Sequence, residues 1–234
     1  MVDIQVYGSS SKGNCYILQD QESKLMIEAG IKLRTIYKKG GSLKGVKALL
    51  VTHEHGDHCK YAQDILASGG FDLWASKGTI EAINLKRRYQ LLKSGHQQII
   101  DGWTIYPFDV KHDVAEPLGF IIVTPYSKEK IVFITDTKLI KNRFKNVDIF
   151  MIECNYSMEI LNENSESGLI PEFLRKRIIN SHMNIETLAG FFEAIDLEKT
   201  KQIILMHLSN DNSDAELFKT TIEKVTNIPV TIAF

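Results

Sequence analysis

The sequence is short of cysteine, of net charge and of long apolar runs, and each shortage excludes something. Its three cysteines, Cys15, Cys59 and Cys154, are an odd, widely spaced set in 234 residues. Such a set does not build a disulfide framework. No stretch of about 18 apolar residues occurs, so no membrane-spanning helix is expected. The opening residues, Met1–Val2–Asp3–Ile4–Gln5, lack a basic segment leading into an apolar one, and so read as no secretory signal. A reduced, soluble, cytoplasmic protein with no membrane partner is the expectation. The formal net charge is −1, so no global basic field advertises nucleic-acid binding, although a local patch could still provide it. No fixed-period repeat, linker or low-complexity tract breaks the chain. With 44% hydrophobic and 24% charged residues, it has the composition and length for a single globular domain over 1–234.

What is present is a series of short apolar runs separated by turn and helix signals. Residues 3–7, 15–18, 24–27, 46–51, 71–75, 103–110, 119–124, 131–134, 147–152, 202–206 and 228–234 read as strands, by alternation or by continuous apolarity. Helices are expected over 31–39, from Asp57 or His58 to Ser68, from Ser76 onward, and over 172–179, 185–195 and 214–225. The polar segment Ser157 to Gly168 reads as a loop. Strands that open in hairpins and are then interleaved with helices imply an α+β domain.

One stretch stands apart from this scaffold. Val46–Val51 reads as a buried strand, and Thr52–His53–Glu54–His55–Gly56–Asp57–His58 follows it. Three histidines and an aspartate in six positions are costly to bury without partners, and a divalent metal resolves that cost. Imidazole and carboxylate suit zinc, manganese or iron. The same habit recurs downstream, where His112, Asp136 and His207 also stand at strand ends. Each has a plainer reading alone: an exposed turn residue for His112, a turn or helix cap for Asp136, a satisfied strand-end histidine for His207. Together they are more ligands than one tetrahedral site needs, and they suit two metals sharing a carboxylate. Glu28, at the end of another strand, reads as a residue that supports the site rather than a ligand. Cys59, directly after His58, reads as a packed thiol.

The set His-x-His-x-Asp-His, a later His, an Asp after a strand and a final His resembles the metallo-β-lactamase superfamily over nearly the whole chain. The resemblance implies a four-layer αββα sandwich. It implies that His53, His55 and His112 hold one divalent ion, that Asp57, His58 and His207 hold a second, and that Asp136 bridges them. Zinc is the first expectation and manganese the second. It further implies hydrolysis by a hydroxide between the two metals, oriented by Asp57. Glu28 stands where many members carry an Asp that braces the site.

Three local features point to the phosphodiesterase branch of that superfamily, with its YycJ-type exonucleases. Gly8–Ser9–Ser10–Ser11–Lys12–Gly13–Asn14 resembles a Gly-Ser-Ser-rich turn of that branch. Ser10, Ser11 and Asn14 are its candidate substrate contacts. Ser181–His182–Met183–Asn184 resembles a Gly-His-Leu-Ser-Asn element, with Ser181, Met183 and Ile185 as departures. His207–Leu208–Ser209 resembles a His-Leu-Ser element. His182 is then a candidate to protonate a leaving oxygen or hold a phosphate, its plainer reading being a neighbour of a helix cap. The expected reaction is phosphodiester hydrolysis on nucleic acid, DNA over RNA. Hydrolysis of a small thioester or lactone is the alternative. Asp136 and His207 lie only 71 positions apart, which leaves no room for the inserted cap domain of some relatives in the superfamily. Basic residues cluster at Lys86–Arg87–Arg88 and Arg175–Lys176–Arg177. Either could touch a polynucleotide backbone, but solvated helix faces are the plainer reading of both, and with no aromatic residues interleaved base stacking is not signalled.

Overall fold

A computed structural model describes residues 1–234. Its contacts fall into two compact units: Met1–Asp109 with Val114–Lys130 and Phe234, and Val110–Asp113 with Ile131–Ala233.

The first unit holds a six-stranded sheet in the order β1-β2-β3-β4-β5-β6. Its strands are Asp3–Gly8 (β1), Cys15–Asp20 (β2), Ser23–Ile27 (β3), Val46–Leu50 (β4), Asp72–Ala75 (β5) and Tyr89–Leu91 (β6). β1, β2 and β3 pair antiparallel, and β3 to β6 run parallel. Ile17, Met26, Leu49 and Leu73 from this sheet are buried in one cluster with Ile65, Leu66 and Ile80. Those last three belong to the short helices Ala62–Ser68 (α3) and Lys77–Ala82 (α4). Ser76 caps α4, accepting a bond from the Thr79 amide. The helices Leu33–Lys38 (α1) and Gly56–Cys59 (α2) complete the set. Strands Gln98–Ile100 (β7), Trp103–Asp109 (β8) and Leu118–Val123 (β9) form an antiparallel ladder in the same unit. Asp20 ties the β2–β3 turn to the loop after β9, accepting from the amides of Tyr126 and Ser127 at 2.7 and 2.9 Å.

In the second unit the strands Lys130–Ile134 (β10), Ile149–Glu153 (β11), Gln202–Met206 (β12) and Val230–Ile232 (β13) run parallel in that order. The runs Ile131–Val132–Phe133–Ile134 and Ile149–Phe150–Met151–Ile152 are wholly buried. That continuous apolarity is what a parallel sheet covered on both faces requires. Four helices connect or follow these strands: Met158–Glu166 (α5), Glu172–Ser181 (α6), Ile185–Glu193 (α7) and Ala215–Thr226 (α8). Phe150 meets Phe191 and Phe192 edge to face beneath α7. No helix is long and apolar enough to cross a membrane.

Three expectations need correcting. The Ser157–Gly168 segment is not a loop but contains α5. Its Asn, Ser and Glu residues hide a one-sided apolar stripe, Met158 and Leu161, which packs with Tyr156, Ile170, Leu174 and Ile178. Tertiary burial thus supplies what intrinsic propensity does not. The expected helix from 57 to 68 is two helices, α2 and α3, because the Tyr61 amide bonds the Ala29 carbonyl at 2.9 Å. The short strands β6 and β7, each of three residues, have too little sequence to show a period.

Candidate metal centre

Parallel strands place their carboxyl ends at one edge of a sheet, where α/β proteins hold their ligands. Both units follow this rule, and each gathers its own cluster of ligand-type side chains.

In the first unit, β4 runs into Thr52 and the histidine loop. His53 and His58 are buried, with ring centroids 4.1 Å apart. His55 meets His53 edge-on at 4.9 Å and stands immediately before α2. Asp57 and His58 ride on α2 itself, with Asp57 Oδ2 3.2 Å from His58 Nε2. Thr52 and Glu28 set the polarity of His53. The Thr52 hydroxyl donates to Glu28 Oε1 at 2.6 Å. A hydroxyl has one proton to give, so its 2.9 Å contact with His53 Nδ1 makes His53 the donor there. Nε2 of His53 is therefore the nitrogen with the lone pair. His58 Nδ1 faces Glu28 Oε1 at 3.4 Å. Glu28 thus braces the loop, as its position predicts. Its φ of 64° is left-handed, a conformation that is costly outside glycine and that clusters at functional sites.

The Gly8–Asn14 turn packs directly against this loop. Asn14 is only 1% exposed. Its backbone amide bonds the Asp57 carbonyl at 2.8 Å, and its side-chain amide lies 3.2 Å from both Asp57 Oδ2 and His58 Nε2. The approach is so close that a Cβ on Gly30 would stand 1.7 Å from the Asp57 carbonyl oxygen. Ser10 is partly exposed and Ser11 exposed. Cys59 donates to the Glu54 carbonyl at 3.1 Å, and burial, followed by the negative charge of Glu28, pushes its thiol up to about 12. It is a packed thiol, as expected.

In the second unit the groups come from separated segments. Asp136 follows β10, Glu153 ends β11, His207 follows β12, His182 follows α6, and His112 stands in the short segment Val110–Asp113. Asp136, Glu153, His182 and His207 each offer a ligand atom, all within 4.8 Å of one another. His112 Nε2 lies 3.5 Å from Asp136 Oδ2, and its Nδ1 is 3.0 Å from the Ser181 carbonyl. A carbonyl only accepts, so His112 also carries its proton on Nδ1 and presents Nε2. Burial holds the His112 pKa below the usual imidazole value, and the Asp136 charge opposes that only in part. His207 Nδ1 sits 3.3 Å from Asp136 Oδ1 and 3.4 Å from Glu153 Oε1. Asp136 and His207 both have left-handed φ, 44° and 53°.

Glu153 is a candidate site residue that the sequence does not single out. It is 0% exposed. Oε1 accepts from His182 Nδ1 at 2.5 Å, and Oε2 accepts from the Thr137 amide at 2.9 Å. Burial drives its pKa up, but the adjacent His182 overrides this and holds it below the usual value. Burial likewise pulls His182 down, and the Glu153 charge and hydrogen bond outweigh it, leaving His182 raised. The hydrogen bond between His182 Nδ1 and Glu153 Oε1 favours the charged form of both groups. Glu153 could have been found: it obeys the same strand-end rule as Asp136 and His207.

The donor set fits divalent metal binding. Imidazoles whose Nδ1 is tied to an oxygen, so that Nε2 can serve as the ligand atom, beside buried carboxylates, are what such ions select.

A family model described as "Beta-lactamase superfamily domain" matches residues 26–208. The chain is 28% identical over 236 residues to "Exodeoxyribonuclease YycJ" of Bacillus anthracis, spanning 94% of this chain and 87% of that protein. It is 28% identical over 235 residues to "Exodeoxyribonuclease WalJ" of Streptococcus pneumoniae, spanning 93% and 85%. The crystal structure of the metallo-beta-lactamase fold protein YhfI from Bacillus subtilis superposes with a TM-score of 0.73, covering 98% of this chain and 95% of that one at 15% identity. That last likeness is one of fold.

Proposed function

This chain belongs to the beta-lactamase superfamily and has the metallo-β-lactamase fold, and on that premise we propose that it is a metal-dependent phosphodiesterase, an exonuclease acting on DNA. One observation carries the reading: every strand-end imidazole with a resolvable tautomer keeps its Nδ1 proton on an oxygen partner, and so presents Nε2 to an ion. The DNA preference rests on the two exodeoxyribonucleases to which nearly the whole chain is similar.

His53, His55 and His112 would hold one ion and Asp57, His58 and His207 a second, with Asp136 shared between them. Because the family match runs through both units, we read the chain as one hydrolase domain. Zinc is the first assignment, given the histidine-rich set, and manganese the second; a cytoplasmic location accords with the reduced cysteines. Two such ions lower the pKa of water and neutralise charge on a phosphoryl group. The chain's own residues do the rest. Asp57, fixed by Asn14, orients the attacking water. Glu28 and Thr52 hold His53 and His58 in the ligating tautomer. His182, held protonated by Glu153, gives its Nε2 proton to the departing oxygen. Ser10 and Ser11, on the turn that Asn14 anchors, contact the substrate strand.

The test is turnover of bis-p-nitrophenyl phosphate and of end-labelled DNA by the purified protein, with manganese or zinc supplied. Stepwise shortening of the DNA label is the expected outcome. Thioester or lactone turnover without diester cleavage would overturn the proposal.

A further inference from the structure

Helix α6 leads directly into His182, and one of its faces has no part in the chemistry just described. Phe173, Lys176, Arg177 and Asn180 are all exposed and stand at spacings of i, i+3, i+4 and i+7, which is a single helical stripe. Phe173 is 74% exposed, and Leu169, just before the helix, 66%. The opposite face, Leu174 and Ile178, packs on α5 residues. The stripe is therefore presented to solvent by a helix that is itself anchored. In sequence the basic triplet shows no interleaved aromatic; in the fold, Phe173 joins its cations on one face.

Charge accumulates towards the His182 end. Lys138 reaches Asn180 Oδ1 at 2.9 Å, adding a third cation beside Lys176 and Arg177. Their present partners are weak. Lys176 lies 3.7 Å from Glu172 and Arg177 3.5 Å from Asp113. Both pairs are exposed, of the kind worth little in water and readily exchanged for a phosphate. From Phe173 to Asn180 the helix rises about 10 Å, matching about three nucleotides at stacked spacing.

We infer that this face of α6 is the track for the single-stranded DNA running on from the scissile phosphate, with Lys176 and Arg177 on its phosphates and Phe173 stacking a base at the far end. The combination of a cationic stripe with an exposed aromatic is what sequence-tolerant single-strand binding uses. A second copy of this chain would also cover Phe173 and Leu169, but two cations on the stripe and Lys138 beside it favour a polyanion. This inference rests on the nuclease reading and extends it to how the strand is held.

The experiment is fluorescence anisotropy with a labelled oligothymidylate and the full-length protein in EDTA, so that binding is read without cleavage. Bis-p-nitrophenyl phosphate turnover is measured in parallel, because that substrate has no strand to reach α6. Phe173→Ala is expected to weaken oligonucleotide binding about 5- to 150-fold, with Phe173→Trp restoring it. The double variant Lys176→Ala/Arg177→Ala is expected to lower the slope of log K against log salt by about 1.4. Small-diester turnover should stay at the wild-type level in all three. Unchanged affinity and unchanged salt slope, in variants that keep this turnover, would overturn the inference and leave the nuclease reading standing. A shift in sedimentation on Phe173→Ala with no change in DNA binding would also overturn it, by assigning the face to self-association. If the wild-type protein cleaves neither the diester nor DNA, the nuclease reading itself fails.

Discussion

The two units assemble their metal-binding groups by opposite means. In the first, four groups lie within six positions of one loop, and the fold's work is to hold that loop still. Asn14, Thr52 and Glu28 do so through contacts of 2.6 to 3.4 Å. In the second, five groups come from five separated segments, and the parallel sheet itself is the holder: β10, β11 and β12 deliver Asp136, Glu153 and His207 at one edge. A contiguous motif is sensitive to its braces, whereas a dispersed one depends on backbone conformation at each strand end. Substitutions should therefore fail differently in the two units.

The largest effect is expected from the ligands. Asp136→Asn retains a residue that tolerates the left-handed backbone but removes the carboxylate charge, and His55→Ala removes a ligand from the loop. Each should reduce diester turnover by more than about 100-fold, beyond the loss typical of outer-shell changes, while circular dichroism stays native. Elemental analysis should show lower metal content in both; unchanged content in both would sink the ligand assignment. Glu153→Gln comes next. It keeps the shape but removes the charge that orients and protonates His182, so kcat should fall about 10- to 100-fold with KM nearly constant. An equal rise in KM would instead assign Glu153 to substrate binding.

The braces of the loop should give smaller and different losses. Thr52→Val removes the hydroxyl that joins Glu28 to His53. A fall of about tenfold in metal affinity, measured by competition with a chelating dye, is the expected result, and no change would show that the tautomer is set elsewhere. Gly30→Ala drives a methyl group against the Asp57 backbone and should cost about 1–3 kcal/mol in urea unfolding. Asp20 supplies a baseline remote from the chemistry. Burial pushes its pKa up, but the amides of Ser127 and Tyr126 outweigh this and hold it below the ordinary value. A folded-state pKa below the unfolded one gives stability that is present above about pH 4 and lost as pH falls through the folded value. Thermal melts should therefore show wild type losing about 1 kcal/mol more than Asp20→Asn on acidification. Parallel curves would mean that the tie contributes nothing.

Much of the site was legible because its chemistry is improbable in any other setting. A cluster such as His53–His58 at a strand end needs a compensating cation, and the same logic reached His112, Asp136 and His207. Glu153 was harder to see, since one glutamate after Ile149–Phe150–Met151–Ile152 looks like an ordinary strand terminus. Only its buried contact with His182 separates it from one. Helix α5 escaped notice because its polar composition masks one buried side chain, Leu161, and one half-buried one, Met158. The α6 stripe escaped because exposure is a property of packing, which no local spacing records. The strands, by contrast, were nearly all visible, since continuous apolar runs have few other uses in a chain of this composition.

The left-handed backbone at Glu28, Asp136 and His207 carries a further consequence, for how the protein can be changed. Each non-glycine residue in that region costs about 1–3 kcal/mol, and glycine would relieve it. A selection for heat resistance alone would thus drift towards glycine at these three positions, erasing the carboxylates of Glu28 and Asp136 and the imidazole of His207 together. Durability and activity pull in opposite directions at these strand ends, and a stabilised variant of this enzyme will have to find its gains elsewhere.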